Sequence, residues 1–359
     1  MQNLVILVGA FFVLVAILLV HRIFVLVGVV KGTDKKRITP ANKWNAALMV
    51  IFLTVSLIAS GYYSYVHFDE YTIPIASEHG AMTDHLFWVT MGVTGVVFLI
   101  TQVLLFGFAF KYQHNEKKPA FFYPDNGKVE ALWTIVPAIV LAALIVTGLS
   151  TWHKITGPAP ENAEVIEVLG YQFAWKVRYP GADGKLGKHD YRLIDADNMF
   201  GIDFSDRTAF DDFIPRELHI PVDQPVELKI RARDVIHSVF IPQFRLKMDA
   251  VPGMPTRFHF TATKTTEQMR QELGNPDFNY ELACNQICGR GHFAMRLLVV
   301  VDSQEDYQKW KSEQKSWLSK NPEYLSRVPE ELKELALVKT GQAEEPAGAE
   351  VAIEKETSL

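Results

Sequence analysis

Long apolar runs fill the first 151 residues, and short alternating segments replace them after residue 164. Leu4 to Val20 is uncharged, and beyond His21-Arg22 the apolar character resumes to Val30. Ala46 to Val66, Leu86 to Phe110 and Ala131 to Thr151 follow. Each run is long enough for the roughly 20 residues that a spanning helix needs. Trp44, Tyr62, Tyr63, Trp88, Tyr112, Trp133 and Trp152 stand near run ends, as an interfacial belt would place them. Helices buried in a water-soluble protein would carry charges along one face. These do not, so about four transmembrane helices are predicted.

From Glu164 onward, Val165 to Leu169, Glu217 to Ile220, Val226 to Ile230, Ser238 to Ile241, Arg257 to Thr261 and Arg296 to Val301 read as strands. Pro, Gly and Asp separate them, which predicts an antiparallel sandwich or barrel. After Asp302 the chain becomes charged and helix-prone, with Trp310 and Trp317 seven residues apart. Beyond Thr340, Gly, Ala, Pro and Glu dominate and predict a disordered end. The divisions are then an extra membrane helix with its loop (1–43), membrane helices two to four (44–151), a β domain (152–302) and a tail (303–359).

Charge gives the orientation. Lys31, Lys35, Lys36, Arg37 and Lys43 lie between the first and second runs, and Lys111, Lys117, Lys118 and Lys128 between the third and fourth. His67 to His85 contains four acids and no Lys or Arg. The positive-inside rule puts both basic loops in the cytoplasm and residues 152–359 outside. The first run has its charges after its apolar core, opposite to a secretory signal. It reads as a retained helix with its N-terminus outside, and Arg22 then snorkels or meets a partner subunit. Across the chain, 36 basic and 41 acidic side chains leave a net charge of −5, the wrong sign for a nucleic-acid binder.

Both cysteines fall in one stretch, Cys284-Asn-Gln-Ile-Cys288-Gly-Arg-Gly-His292-Phe-Ala-Met295. Cys288, His292 and Met295, joined by an upstream histidine, offer thiolate, imidazole and a weak thioether. That set suits an electron-transfer copper site. Cys284 is one thiolate too many for a single copper, so the surplus points to two ions bridged by two thiolates. The upstream ligand is read as His237, which opens a strand in Asp234-Val-Ile-His237-Ser-Val-Phe-Ile-Pro242. His219 and His259 are rivals inside alternating strands. A disulfide or a structural zinc would also explain Cys-x3-Cys. Met295 and the Gly-Arg-Gly turn argue against both.

This run resembles the copper A loop of cytochrome c oxidase subunit II. Arg233-Asp-Val-Ile-His-Ser and Lys247-Met-Asp-Ala-Val-Pro-Gly253 resemble its flanks. Lys128-Val-Glu-Ala-Leu-Trp-Thr-Ile-Val-Pro-Ala138 resembles the start of that family's second membrane helix. The likeness covers roughly residues 111–302. It implies a cupredoxin-like Greek-key barrel holding a dinuclear copper A centre. It further implies that the centre takes electrons from a cytochrome c, or a c-haem-carrying donor complex, and passes them to haem in subunit I of a proton-pumping oxidase. Haems and copper B would belong to subunit I alone. The setting would be a bacterial inner membrane, with the copper domain on the periplasmic side. The implied ligands are His237, Cys284, Gln286 through its backbone carbonyl, Cys288, His292 and Met295.

Several positions depart from the family pattern. Gln286 stands where Glu is common, which a carbonyl ligand tolerates but which questions the family's magnesium site. Phe173 replaces the tryptophan through which electrons are expected to enter, and Trp175 aligns with a neighbouring aromatic. Glu130 occupies the place of a proton-uptake carboxylate, although a first-turn Glu is favoured by the helix dipole in any case. Asp203, Asp206, Asp211 and Asp212 could steer a basic donor. Residues 152–302 hold 18 basic and 21 acidic side chains, so steering would be modest. The first two runs lack a family counterpart, and no Cys-x-x-Cys-His for covalent haem occurs.

Three other functions compete. A membrane-anchored copper chaperone uses Cys-x3-Cys plus a distant His, but His292, Met295 and four spans disfavour it. A quinol oxidase subunit would lack the copper ligands, and a zinc domain has no use for Met295.

Overall fold

The computed structural model describes residues 2–32, 40–115 and 117–343. Four long helices follow the four apolar runs: α1 (Gln2–Val30), α2 (Pro40–Val66), α4 (Glu78–Lys111) and α5 (Gly127–Thr156), with a single turn, α3 (Phe68–Tyr71), before α4. All four are long and apolar enough to cross a bilayer. Among the described residues, the side chains of the spans Phe11–Val30, Ala41–Val66, Glu78–Lys111 and Gly127–Thr156 are almost wholly uncovered, as lipid- or partner-facing helices require. Lys35, Lys36 and Arg37, which contribute to the orientation argument, lie outside the described residues.

The chain forms two compact units. One comprises Met1–Tyr71 and Met91–Val136, and is helical. The other comprises Thr72–Thr90 and Pro137–Leu359, and contains the β domain.

Among the described residues, nine strands make two sheets. The first has the order β2 (Ala174–Arg178), β1 (Glu164–Tyr171), β4 (Pro225–Ala232), β7 (Thr256–Thr261). The second has the order β3 (Leu218–Pro221), β9 (Arg296–Asp302), β8 (Tyr280–Cys284), β5 (His237–Ile241), β6 (Leu246–Ala250). Alternation explains which face is buried. Val226, Leu228 and Ile230 of β4 point inward and are fully buried, while Glu227, Lys229 and Arg231 point outward. Ile166, Val168 and Val177 join them against Val239, Ile241, Leu282 and Val299 of the other sheet.

The sandwich departs from the sequence reading in two ways. β1 pairs with β4, and β3 with β9, in parallel rather than antiparallel fashion. Strands β2, β6 and β8 add to the six predicted, each only five residues long. A helix, α6 (Thr266–Leu273), also lies between β7 and β8, started by a reciprocal capping box of Thr265 and Gln268.

The tail is helical as expected, in α7 (Gln304–Ser312), α8 (Trp317–Lys320) and α9 (Lys333–Lys339). It also builds a second core. Trp317, Leu318, Tyr324, Val328 and Ala336 bury themselves against Phe200, Phe204 and Phe210 of the β2–β3 connection. The Trp317 ring stacks on Phe204 with centroids 5.7 Å apart. Residues 344–359, where disorder was expected, lie outside the described residues.

Candidate metal centre

Strand pairing brings the distant histidine to the cysteine loop. Val239 of β5 is the register partner of Cys284 at the end of β8, so His237 and Cys284 share one end of the second sheet. The loop is tied at both ends: the Cys284 amide donates to the Met295 carbonyl at 3.1 Å, and the Asn285 amide donates to Ser238 at 3.0 Å. A 3-10 turn, His292–Ala294, aims His292 and Met295 back at Cys288.

The donor atoms converge. The two Sγ atoms are 3.9 Å apart, far beyond the roughly 2.05 Å of a disulfide; both cysteines are free thiols. His237 Nδ1 lies 3.8 Å from Cys284 Sγ, and the Gln286 carbonyl oxygen lies 3.2 Å from the same sulfur. His292 Nδ1 and Met295 Sδ lie 3.7 and 3.8 Å from Cys288 Sγ. Donors sharing one tetrahedral ion at bond lengths near 2.0–2.3 Å sit about 3.3–3.8 Å apart. The spacing therefore fits metal ions held between these groups. The thiol pair forms the middle, and nitrogen and weaker donors flank it on each side. Burial, with Cys284 beside it, pushes the Cys288 thiol up to about 11. Metal uptake must therefore displace a proton from it.

A second set of residues orients these donors. His237 is fully buried, and its Nε2 donates to Asp234 Oδ1 at 2.9 Å, which leaves the Nδ1 lone pair facing Cys284. Asp234 Oδ2 accepts from the Gln172 amide at 2.7 Å, and Gln172 Nε2 donates to the Cys288 carbonyl at 2.6 Å. Burial alone would raise the Asp234 carboxyl, but the Gln172 amide, the His237 ring and the Val235 amide outweigh it and lower it. Neither Asp234 nor Gln172 was singled out from the sequence. Position three before the histidine was the available sign for Asp234.

Phe173 and Trp175 occupy different environments. Phe173 is 40% exposed and lies on the cysteine loop. A Cβ on Gly291 would come within 2.5 Å of its ring, and one on Gly289 within 2.8 Å, so only glycines allow this approach. Trp175 is buried, edge-on to His237 with centroids 5.8 Å apart. The rival histidines are placed elsewhere. His219 Nδ1 is 2.7 Å from Asp302, with its ring stacked on Trp310. His259 belongs to β7 in the first sheet.

Glu130 Oε1 accepts from the Asn126 amide at 3.0 Å at the start of α5. The four aspartates differ among themselves. Asp203 accepts from Ser205, Asp206 caps the turn Arg207–Ala209, and Asp211 accepts from the Asp183 amide. Asp212 must leave the docking set. It is fully buried, paired with Arg178 at 2.9 Å, and accepts the Gly187 amide.

Residues 164–303 match the family described as "Cytochrome C oxidase subunit II, periplasmic domain", and residues 61–150 match its "transmembrane domain". The chain belongs to the cytochrome c oxidase subunit II family. The alternative cytochrome c oxidase subunit 2 of Bradyrhizobium diazoefficiens is 32% identical over 271 residues, covering 75% of this chain and 93% of that protein. Cytochrome c oxidase subunit 2 of Thermostichus vulcanus is 26% identical over 302 residues, covering 76% and 86%. Among solved structures, the periplasmic domain of subunit II from Bradyrhizobium japonicum aligns over 43% of this chain and 94% of its own, at 21% identity and a TM-score of 0.28. As subunit II, the chain is a membrane-embedded part of a cytochrome c oxidase, and His237, Cys284 and Cys288 of its β domain form a group able to hold a metal ion. The transmembrane match begins at residue 61, which leaves α1 and most of α2 outside it.

Proposed function

We propose that this subunit holds a dinuclear copper A centre through His237, Cys284, the Gln286 carbonyl, Cys288, His292 and Met295. The observation that carries the reading is the pair of free thiols 3.9 Å apart, flanked by two imidazole nitrogens, a carbonyl and a thioether. Such a centre supplies one-electron chemistry: soft sulfur favours Cu(I), and imidazole accepts both oxidation states. The protein's own part is rigidity. Tied loop ends and the Gln172–Asp234–His237 chain fix the donors, so little must move when charge arrives.

In this reading a cytochrome c, or a c-haem-carrying complex, docks on the periplasmic face of a bacterial inner membrane, and electrons continue to haem in subunit I. Subunit I also carries copper B. Phe173, exposed and lying on the cysteine loop, is the better placed surface contact, and Trp175 is the inner relay against His237. Asp203, Asp206 and Asp211 remain as candidates for steering a basic donor. Residues 152–302 act as the copper domain, 44–151 as its membrane anchor, and 1–43 and 303–359 as additions.

Glu130 is assigned to proton uptake for pumping. Glu130→Gln separates this role from helix capping, because a glutamine oxygen still accepts the Asn126 amide. Turnover and pumping should fall while copper absorbance in the visible and near-infrared stays unchanged. Full turnover in that variant would remove Glu130 from the proton path. A colourless subunit containing a single zinc would defeat the copper assignment.

A further inference from the structure

The outward face of the first sheet carries an unbalanced row of charge. Register places Arg178, Glu167, Lys229 and Arg257 side by side across β2, β1, β4 and β7, all on one face. Glu167 is already committed, because Arg178 pairs with it at 2.6 Å and Arg231 pairs with it as well. Arg178 is itself paired a second time, with Asp212 at 2.9 Å. Lys229 and Arg257 then face each other directly across an antiparallel pair. Like charges in that position are destabilising. Among the described residues neither forms an ion pair, and Arg257 Nε donates instead to the Thr156 carbonyl at 3.0 Å.

A cavity of about 530 Å³ opens at this row, with Leu186–His189 and Pro255 also among its lining. Arg231 Nε is buried there and has no hydrogen-bond partner among the described residues. Glu227 is the one uncommitted carboxylate among the lining residues. A repulsive pair and an unmet guanidinium donor beside an open cavity are what an oxyanion would resolve.

Thr156 fixes the height of the cavity relative to the bilayer. It is the last residue of α5, five residues beyond the end of the apolar run at Thr151. At 1.5 Å per residue that is about 7.5 Å past the end of the apolar run, within the headgroup layer. We propose that Lys229, Arg231 and Arg257 bind a phosphate ester here, supplied by the headgroup of an anionic phospholipid.

The test uses the intact purified oxidase in an uncharged detergent. Binding of dioctanoyl-phosphatidylglycerol, its phosphatidylcholine counterpart and inorganic phosphate is measured by titration calorimetry. The wild type should prefer phosphatidylglycerol. The double variant Lys229→Gln/Arg257→Gln should bind it about tenfold more weakly or worse, with copper absorbance unchanged as a check on folding. Lys229→Glu reverses the charge at the centre of the row, so it should also lose the lipid. Equal affinity of wild type and both variants for phosphatidylglycerol would overturn the site. Inorganic phosphate binding as tightly as the lipid would overturn the lipid source.

Discussion

Asp234→Ala removes the carboxylate that holds His237. The imidazole has no access to water, so its Nε2–H would lose its partner at 2.9 Å without replacement. Stranding a buried donor costs about 1–3 kcal/mol. The Gln172 amide loses its acceptor too, but Asp234 is about one-third exposed, so water can substitute there. The net effect should be a 10–100-fold loss of metal affinity, the range seen when such supporting partners are removed, or about 1.4–2.8 kcal/mol. Asp234→Asn keeps an acceptor oxygen near Nε2 and should lie between the two. The assay is copper retention by the intact complex against increasing chelator, followed through the copper absorbance. Wild-type retention in Asp234→Ala, within threefold, would refute the argument that this carboxylate positions the ligand.

Met295→Leu should keep copper but change its reduction potential, because a weak sulfur donor tunes the centre; an unchanged potential would reduce Met295 to packing. Trp317→Ala should cost the second core about 3–5 kcal/mol, making the tail a target for limited proteolysis while the copper spectrum persists. Asp195 anchors the same tail through Tyr324 at 2.7 Å and Arg327 at 2.9 Å. Burial alone would raise its carboxyl, but the Tyr324 hydroxyl, the amides of Asn198 and Asp197, and Arg327 outweigh this and hold it at about 2. A lowered carboxylate stabilises above its ordinary value of 3.8 and loses that contribution as pH falls toward the folded value. Tail docking, read by Trp317 fluorescence, should therefore hold down to about pH 4 and loosen between about pH 4 and 2.

The membrane helices were legible because hydrocarbon demands an unbroken apolar length, which any window of sequence displays. Most of the ligand set was legible because Cys284 to Met295 is one short loop. His237 needed the further inference that a strand start would meet that loop, and the β5–β8 pairing supplies the contact. Asp234 and Gln172 were not legible as partners, since their bond joins residues 62 apart. The tail concealed its core similarly: Trp317 and Tyr324 stand among charges, and their partners lie over 100 residues earlier. Asp211 and Asp212 look alike in sequence, yet a fully buried arginine takes up the second and removes it from the surface. The alternation in Leu246–Ala250 and Tyr280–Cys284 was present but short, and only pairing to neighbours distinguishes it from loop.

In the proposed centre, Cys284 and Cys288 hold two metal ions between them. Electron paramagnetic resonance of the oxidised intact complex tests it most directly. One unpaired electron with hyperfine coupling to two copper nuclei is expected, and it should be lost in Cys284→Ser and in Cys288→Ser. Coupling to a single copper nucleus, or no copper signal from this domain, would contradict it.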